Sequence, residues 1–406
     1  TYRGLAMTTE ETNVDLNGTV TSPGGFRAGG VSCNIKESGT LDLGILISDN
    51  ICTAAGVFTT SQIRAAAIEI DEELLQNGQA QTIIVNSGNA NASTGKRGIG
   101  DARKLSELAA KKCGTTQHNS LVSSTGIIGH HLPMELIEEG IQHLELTTQG
   151  GHDFARAIMT TDIVPKTGSV KFGDYTIGGC AKGSGMIHPN MATMLAYLTT
   201  DAPIEQNMLQ TTLVDAVEKT FNLISVDGDT SPSDTVIILA NGTDQTKVIK
   251  EDSELAKEFA KALTTLCEHL AKAIVRDGEG ATKLIEIEIK NAKTIPEAKT
   301  LIRDLTTSYL LKTAVHGSDP NWGRIVSVIG RSNIEIVGDA VTVAICDTLV
   351  FENGEPSPYD EKSVAKAMES DTISIKISVG SGNAYAKGWG CDLSAEYVRI
   401  NADYTT

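Results

Sequence analysis

Only seven of the 406 residues are cysteine, and no two of them form a C-x-x-C pair. An odd count without that spacing argues against a disulfide framework and against a zinc site. Cys33, Cys52, Cys113, Cys180, Cys267, Cys346 and Cys391 are instead expected as buried thiols of a reducing compartment. The eight histidines include the adjacent pair His130-His131 but no H-x-x-x-H, so no metal is expected. Positive charge is scarce as well: 34 Lys and Arg stand against 51 Asp and Glu, a net charge of -17. Such a surface is repelled by a phosphate backbone and by an anionic membrane, so neither nucleic acid nor a membrane is an expected partner. No apolar run approaches the roughly 20 residues of a membrane span. The opening Thr1-Tyr2-Arg3-Gly4 has no signal-peptide core, and a cytoplasmic location is expected. Internal repeats, low-complexity tracts and Pro/Ser linkers are also missing, which implies domains in close contact.

A hydrophobic share of 40% with 21% charge is ordinary for a globular chain, and the length suits two or three domains with a substantial core. The first half reads as short strands between glycine and asparagine turns: Leu43 to Ile47, Ala55 to Phe58 and Thr82 to Val85. A helix is predicted from Asp101 to Lys112, because Leu105, Leu108 and Ala109 recur at helical spacing and Gly114 ends it. Longer helices follow, Ile204 to Phe221 and Ser253 to Val275, the second with Ser253 as N-cap and Asp277-Gly278 as its stop. Strands are predicted at Val236 to Leu239, Leu284 to Ile289, Ile334 to Ile345, Ile373 to Val379 and, at the C-terminus, Glu396 to Asn401. Helices and strands in this abundance imply layered α and β structure.

Several motifs fail on spacing. Thr94-Gly95-Lys96-Arg97 evokes a phosphate loop, but six residues separate Gly88 from Gly95 and Arg97 follows the lysine. Gly183-Ser184-Gly185 could open a dinucleotide fingerprint, yet the third glycine would fall on His188. Asp227-Gly228-Asp229 begins like a calcium loop whose glycine would be Pro232 and whose last glutamate would be Ile238.

What remains is a series of blocks. The most informative is Lys182-Gly183-Ser184-Gly185-Met186-Ile187-His188-Pro189-Asn190-Met191-Ala192-Thr193-Met194-Leu195, a glycine-rich turn that leads to a hydroxyl residue between apolar neighbours. Around it stand Val57-Phe58-Thr59-Thr60, Asn86-Ser87-Gly88-Asn89-Ala90-Asn91-Ala92, Ser124-Thr125-Gly126 and Ala157-Ile158-Met159-Thr160-Thr161-Asp162. Further on come Val226-Asp227-Gly228-Asp229-Thr230-Ser231, Val275-Arg276-Asp277-Gly278-Glu279-Gly280-Ala281-Thr282-Lys283, Asp319-Pro320-Asn321-Trp322-Gly323-Arg324 and Ile400-Asn401-Ala402-Asp403-Tyr404. In this order, over about the whole chain, they resemble the ornithine acetyltransferase family, the ArgJ family of arginine biosynthesis. The departures are small: Ser61 and Ser93 stand where Asn and often Cys are expected, and Pro232-Ser233 replace Thr-Asn. None falls on a residue to which the resemblance assigns chemistry.

The resemblance implies an α/β (α+β) sandwich of the self-processing, N-terminal-nucleophile type, related to DmpA, with a second, smaller α/β domain. It implies self-cleavage between Ala192 and Thr193, giving an α-chain of residues 1–192 and a β-chain of residues 193–406 that assemble as an α2β2 heterotetramer. Thr193 would then carry a nucleophilic hydroxyl beside a free α-amine of reference pKa about 7.7–8.0, a candidate base. Thr125 and Gly126 would form the oxyanion hole. Thr161, Lys182, Thr193, Glu279, Asn401 and Thr406 would bind substrate, Lys182 as the anion partner and Glu279 as the cation partner. Apart from the resemblance, Arg276 is expected to pair with an acidic neighbour; His188, five residues before Thr193, could line the site but is expected in a structural role or just behind its lining. The implied reaction moves acetyl from N2-acetyl-L-ornithine to L-glutamate in ping-pong fashion without a bound cofactor, and some members also take acetyl-coenzyme A as donor. An amidohydrolase or aminopeptidase on the same scaffold is the alternative, with water as the acceptor.

Overall fold

The structure, a computed structural model, describes residues 13–188, 194–242, 247–336, 338–380 and 382–403. The strands of its first half are β1 (Phe26–Val31), β2 (Leu43–Phe58), β3 (Gln79–Asn89), β4 (Ser120–Ile127), β5 (Lys166–Phe172) and β6 (Tyr175–Lys182). Then follow β7 (Leu195–Thr200), β8 (Ile224–Ser225), β9 (Thr235–Ala240), β10 (Leu284–Ala292), β11 (Thr342–Ile345), β12 (Thr348–Glu352), β13 (Glu355–Pro356), β14 (Thr372–Ser378) and β15 (Ala384–Cys391). The helices are α1 (Ala66–Leu74), α2 (Gly95–Cys113), α3 (Met134–Gly140), α4 (Gly151–Ala157), α5 (Gln206–Lys219) and α6 (Glu254–Arg276). The last are α7 (Ile295–Thr306), α8 (Tyr309–His316), α9 (Trp322–Arg331), α10 (Glu361–Ala367) and α11 (Ala395–Asp403).

Among the described residues the strands form two sheets with helices packed on them, so the fold is α/β. The larger sheet has eight strands in the order β4-β3-β2-β9-β7-β6-β5, with β1 paired to β2. Its centre is β9 and β7, Thr235-Val-Ile-Ile-Leu-Ala240 and Leu195-Ala-Tyr-Leu-Thr-Thr200, buried at every position. Strands covered on both faces have no polar side to display, which is why Leu195 to Leu198 and Val236 to Ala240 are apolar or aromatic at every position. Helix α6 packs on β5 and β6, α5 on β2, α1 on β4, α2 on β3 and β4, and α4 on β1 and β2. The apolar stripe of α6, with Phe259, Leu263, Leu266, Leu270 and Ile274 fully buried, follows the helical repeat. Each such side chain contributes about 1.5–3 kcal/mol of burial. Ser253 caps this helix by accepting the Ala256 N–H at 3.1 Å, and Asp277 ends it. β7 and β9 lie between β2 and β6, so the two sides of the expected scission point are woven into one sheet.

The smaller sheet runs β13-β12-β11-β14-β10-β15-β8. Ile285, Ile287, Ile289, Ile373, Ile375 and Ile377 pack with Leu301, Ile302 and Leu305 of α7 and Ile325 and Ile329 of α9. Trp389 of β15 turns instead into the core beneath α6, joining the two layers.

Several expectations need correction. The C-terminal run Glu396 to Asn401 is helix α11, not a strand: Ser394 accepts the Glu396 N–H at its start, and Asn401 reaches back to the Tyr397 carbonyl. The strand propensity of Tyr397, Val398 and Ile400 is overridden by tertiary contacts, that of Asn401 with Glu279 among them. Among the described residues from Ile334 to Ile345, only Thr342–Ile345 is strand; Ile334 and Ile336 are partly buried against the smaller core. Leu43 to Ile47 and Ala55 to Phe58 are one strand, β2, with an irregularity between Ile47 and Cys52. The helix predicted from Asp101 begins at Gly95, and α1, α3 and α4 add helix to a half read mainly as strands. All seven cysteines are free; Cys113 and Cys346 are half-buried and the other five are buried.

Candidate active site

The glycine turn after β6 and the end of β4 meet at a cavity of about 420 Å³. Thr125, Gly126, Thr161, Lys182, Glu279 and Asn401, which the sequence singles out in five separate segments, all line it. Ala192 and Thr193, the expected cleavage pair and nucleophile, and Thr406 lie outside the described residues.

The end of β4 is held by its neighbour β3. Asn86 accepts the Ser124 hydroxyl at 2.7 Å and donates to the Asn89 carbonyl at 2.8 Å, while Ser87 donates to the Ala157 carbonyl. Through these bonds the Asn86–Ala92 block shapes the strand end that carries Thr125 and Gly126. Gly126 has φ +129, and a Cβ there would stand 2.4 Å from the Gly88 carbonyl carbon. Glycine at this position is thus required by the packing of β4 on β3, not only by the approach of a ligand.

Lys182 ends β6 with its side chain almost wholly buried. Its ammonium donates to the Thr125 hydroxyl oxygen at 3.3 Å. An ammonium cannot accept, so the Thr125 hydroxyl proton stays available to the cavity. Burial pushes the Lys182 pKa down, and Asp162, Asp234 and Glu279 oppose that shift. The turn that follows is pinned by two carboxylates. Asp162 accepts the Gly183 N–H at 2.7 Å, and Asp227 accepts the Met186 and Ile187 N–H groups at 2.6 and 2.9 Å. Met186 has φ 56, a left-handed conformation that those bonds maintain.

Across the cavity, Glu279 follows α6 and its N–H donates to the Ser184 carbonyl. Its carboxylate lies against Gly185, where a Cβ would fall 2.5 Å from Glu279 Cδ, so a larger residue there would push this carboxylate aside. Asn401 donates to Glu279 Oε2 at 2.7 Å, which brings α11 to the site. Thr161 shares a 2.6 Å hydrogen bond with the Ser184 hydroxyl. The cavity therefore offers a buried cation at one point, a carboxylate at another and neutral hydroxyl and amide groups between them. That set suits a zwitterionic amino acid with a second charge on its side chain.

Several participants are not legible in the sequence. Asp162 stands there only as part of a block, Asp227 only within a block and as a failed calcium loop, and Asp234 and Tyr397 carry no sequence signal of a role. Asp234 is fully buried before β9; one oxygen accepts the Met194 N–H at 3.1 Å, and the other has no hydrogen-bond partner among the described residues. Burial holds its carboxyl well above the usual range. Nothing in its flanking Ser233 and Thr235 signals this. Tyr397 lines the cavity, its phenol pushed up by burial and by the nearby Asp227 and Glu279 carboxylates. Pro232 and Ser233, the departures from the family pattern, also line the wall and so face any ligand.

Two side expectations are settled by contact. His188 is not among the lining residues; it meets the Ser225 hydroxyl at 3.4 Å, and burial lowers its pKa. Arg276 donates to the Thr372 hydroxyl at 2.9 Å, with no carboxylate in ion-pair range among the described residues, so the expected acidic partner is replaced by a strand of the smaller sheet.

The ArgJ family model matches residues 27–406. The arginine biosynthesis bifunctional protein ArgJ of Dehalococcoides mccartyi is 43% identical over 404 residues, 98% of this chain and all of the relative. Its namesake from Bacillus subtilis is 44% identical over 407 residues, 99% of this chain and all of the relative. The crystal structure of the arginine biosynthesis bifunctional protein ArgJ of Bacillus halodurans is similar at a TM-score of 0.50 and 41% identity, covering 51% of this chain and 98% of that one.

Proposed function

This chain belongs to the ArgJ family, and from that premise we propose that it is a self-cleaving acetyltransferase that moves acetyl from N2-acetyl-L-ornithine to L-glutamate. It is a transferase of arginine biosynthesis, a glutamate N-acetyltransferase that also serves as an amino-acid acetyltransferase with acetyl-coenzyme A as donor. The observation that carries the reading is the convergence of Thr125, Gly126, Thr161, Lys182, Glu279 and Asn401 on one cavity.

Scission before Thr193 yields chains of residues 1–192 and 193–406, which stay together because their strands share a sheet. A solved relative matched over 98% of its chain yet covering 51% of this one has the proportion of a single fragment. The Thr193 hydroxyl attacks the acetyl carbonyl of acetylornithine, with its own α-amine as base. The oxygen that turns negative is met by the Thr125 hydroxyl and the Gly126 N–H, where losing one donor costs on the order of 10²–10³ in rate. Lys182 takes the α-carboxylate and Glu279 the distal ammonium, helped by Asn401 and Thr161, with Thr406 completing the substrate site. Ornithine leaves an acetyl-Thr193 ester, which the glutamate amine then attacks, so no bound cofactor is needed. Water must be kept out of this ester's reach. The functional unit is an α2β2 heterotetramer.

Intact-mass measurement before and after mixing with acetylornithine tests this directly. Two fragments are expected, the second gaining about 42 daltons from acetyl-for-hydrogen exchange on the nucleophile. Thr193→Ala should leave one uncut chain with no transfer activity; a processed, active Thr193→Ala protein refutes the nucleophile. Acetate release that does not need glutamate would favour the hydrolase instead.

A further inference from the structure

Behind the cavity lies an ion cluster that the chemistry above does not use. Lys166, on β5, is 2% exposed. Its ammonium donates to Asp162 Oδ1 at 2.7 Å, to Asp277 Oδ2 at 2.6 Å and to the Val164 carbonyl at 3.2 Å. Each carboxylate also holds backbone. Asp162 accepts the N–H groups of Gly183 and Thr160, and Asp277 accepts that of Ile163. Three segments are thereby tied at one point: the loop that carries Thr161, the turn that begins at Lys182, and the end of α6 that leads to Glu279. One lysine between two carboxylates leaves a spare negative charge. The Lys182 ammonium has no carboxylate in ion-pair range among the described residues, only the Thr125 hydroxyl.

Resting on the proposed roles of Lys182 and Glu279, we propose that the Asp162–Lys166–Asp277 cluster is a positioning device for substrate binding. It fixes the span between the anion-binding and cation-binding groups, and its spare negative charge favours the ammonium form of Lys182. A buried ion cluster adds little net stability over apolar packing of the same volume, so its gain lies in fixed geometry and charge. The groups around Lys182 fit this. The anions Asp162, Asp234 and Glu279 oppose loss of its proton, while Lys166 and, at longer range, Lys36 favour that loss. Burial alone would raise the Asp162 carboxyl; Lys166, Lys182 and the Gly183 N–H bring it down to about 2, so it is charged throughout the neutral range.

The test is the pH dependence of KM and kcat for acetylornithine. Lys166→Met leaves Asp162 and Asp277 facing each other without a cation. KM should rise about ten- to a hundredfold, the size of a lost charge coupling, with kcat within about threefold. The defect should shrink as pH falls, because a proton on either carboxylate replaces the missing charge. Adding Asp277→Asn should return KM to within about threefold of the parent at every pH. A wild-type KM in Lys166→Met, or a pH-independent rise that Asp277→Asn does not rescue, overturns the proposal. If Lys166→Met is insoluble, Asp162→Asn decides: its KM should climb with pH as Lys182 loses its proton, and a flat profile counts against the cluster. Lys182→Met is the control, since an unchanged KM there means the substrate-site reading itself has failed, whatever Lys166 does.

Discussion

The two sheets bury their strands in different ways. In the larger, β7 and β9 are covered at every position, and polar groups gather where strands end. In the smaller, β14 alternates buried with half-buried residues because α7 and α9 cover one face. Its other face carries ion pairs, Lys272 and Lys387 with Glu286, beside Trp389. The difference is in how polar groups are satisfied. A half-solvated sheet meets its polar needs with water and surface charges, each pair contributing about 0–1 kcal/mol. A sheet buried on both faces cannot, so its polar groups are paired internally and concentrated, and a few of them, like Asp234, are left short of partners. The site lies where that concentration occurs.

Matched cavities should sharpen the contrast most strongly. Ile287→Ala in the smaller core and Leu198→Ala in the larger remove fully buried side chains. Each should cost about 2–5 kcal/mol, read as a fall in the urea midpoint. Leu198→Ala alone should also raise KM, because β7 pairs directly with the strand that ends at Lys182; equal kinetic changes in both variants would erase the distinction. Next in size is Gly126→Ala, whose new methyl must displace β3 at Gly88. A drop in kcat of about 10²–10³ is expected, as for a lost oxyanion donor, and an unchanged kcat would show this strand end to be as tolerant as the smaller sheet's outer face. The smallest effect concerns acid. Asp162 is depressed from 3.8 to about 2 on folding, so its contribution is complete above the unfolded pKa and is lost as pH falls through the folded one. The stability gap between the parent and Asp162→Asn should therefore narrow by about 2 kcal/mol as urea melts are repeated from mildly acidic pH down towards 2. A gap that does not change with pH would remove the carboxylate's charge from the account.

Local pattern makes the long helices and the apolar strands legible: α6 with its Ser253 cap, and β9 and β10 with their apolar or alternating runs, depend on neighbours in sequence. α11 escapes such a reading because Tyr397, Val398 and Ile400 are strand-favouring residues, while the contact that orders them, Asn401 to Glu279, spans 122 residues. The same holds for the site. Lys182 and Glu279 stand out through their blocks, but Lys166 and Asp277 are an ordinary lysine and a helix stop until they meet across 111 residues.

By itself the sequence determined the secondary-structure periods of its strongest elements, the acidic surface, and, through its ordered blocks, the family and the residue types a charged amino acid would need. Only the tertiary structure decided that two segments beyond residue 193 enter the centre of the larger sheet, that Gly126 is held by β3, and that Lys166 joins Asp162 to Asp277. The physical reason is range. Propensity, capping and hydrophobic period act over one or two helical turns, whereas the charge state of a buried lysine depends on carboxylates brought to it from distant parts of the chain.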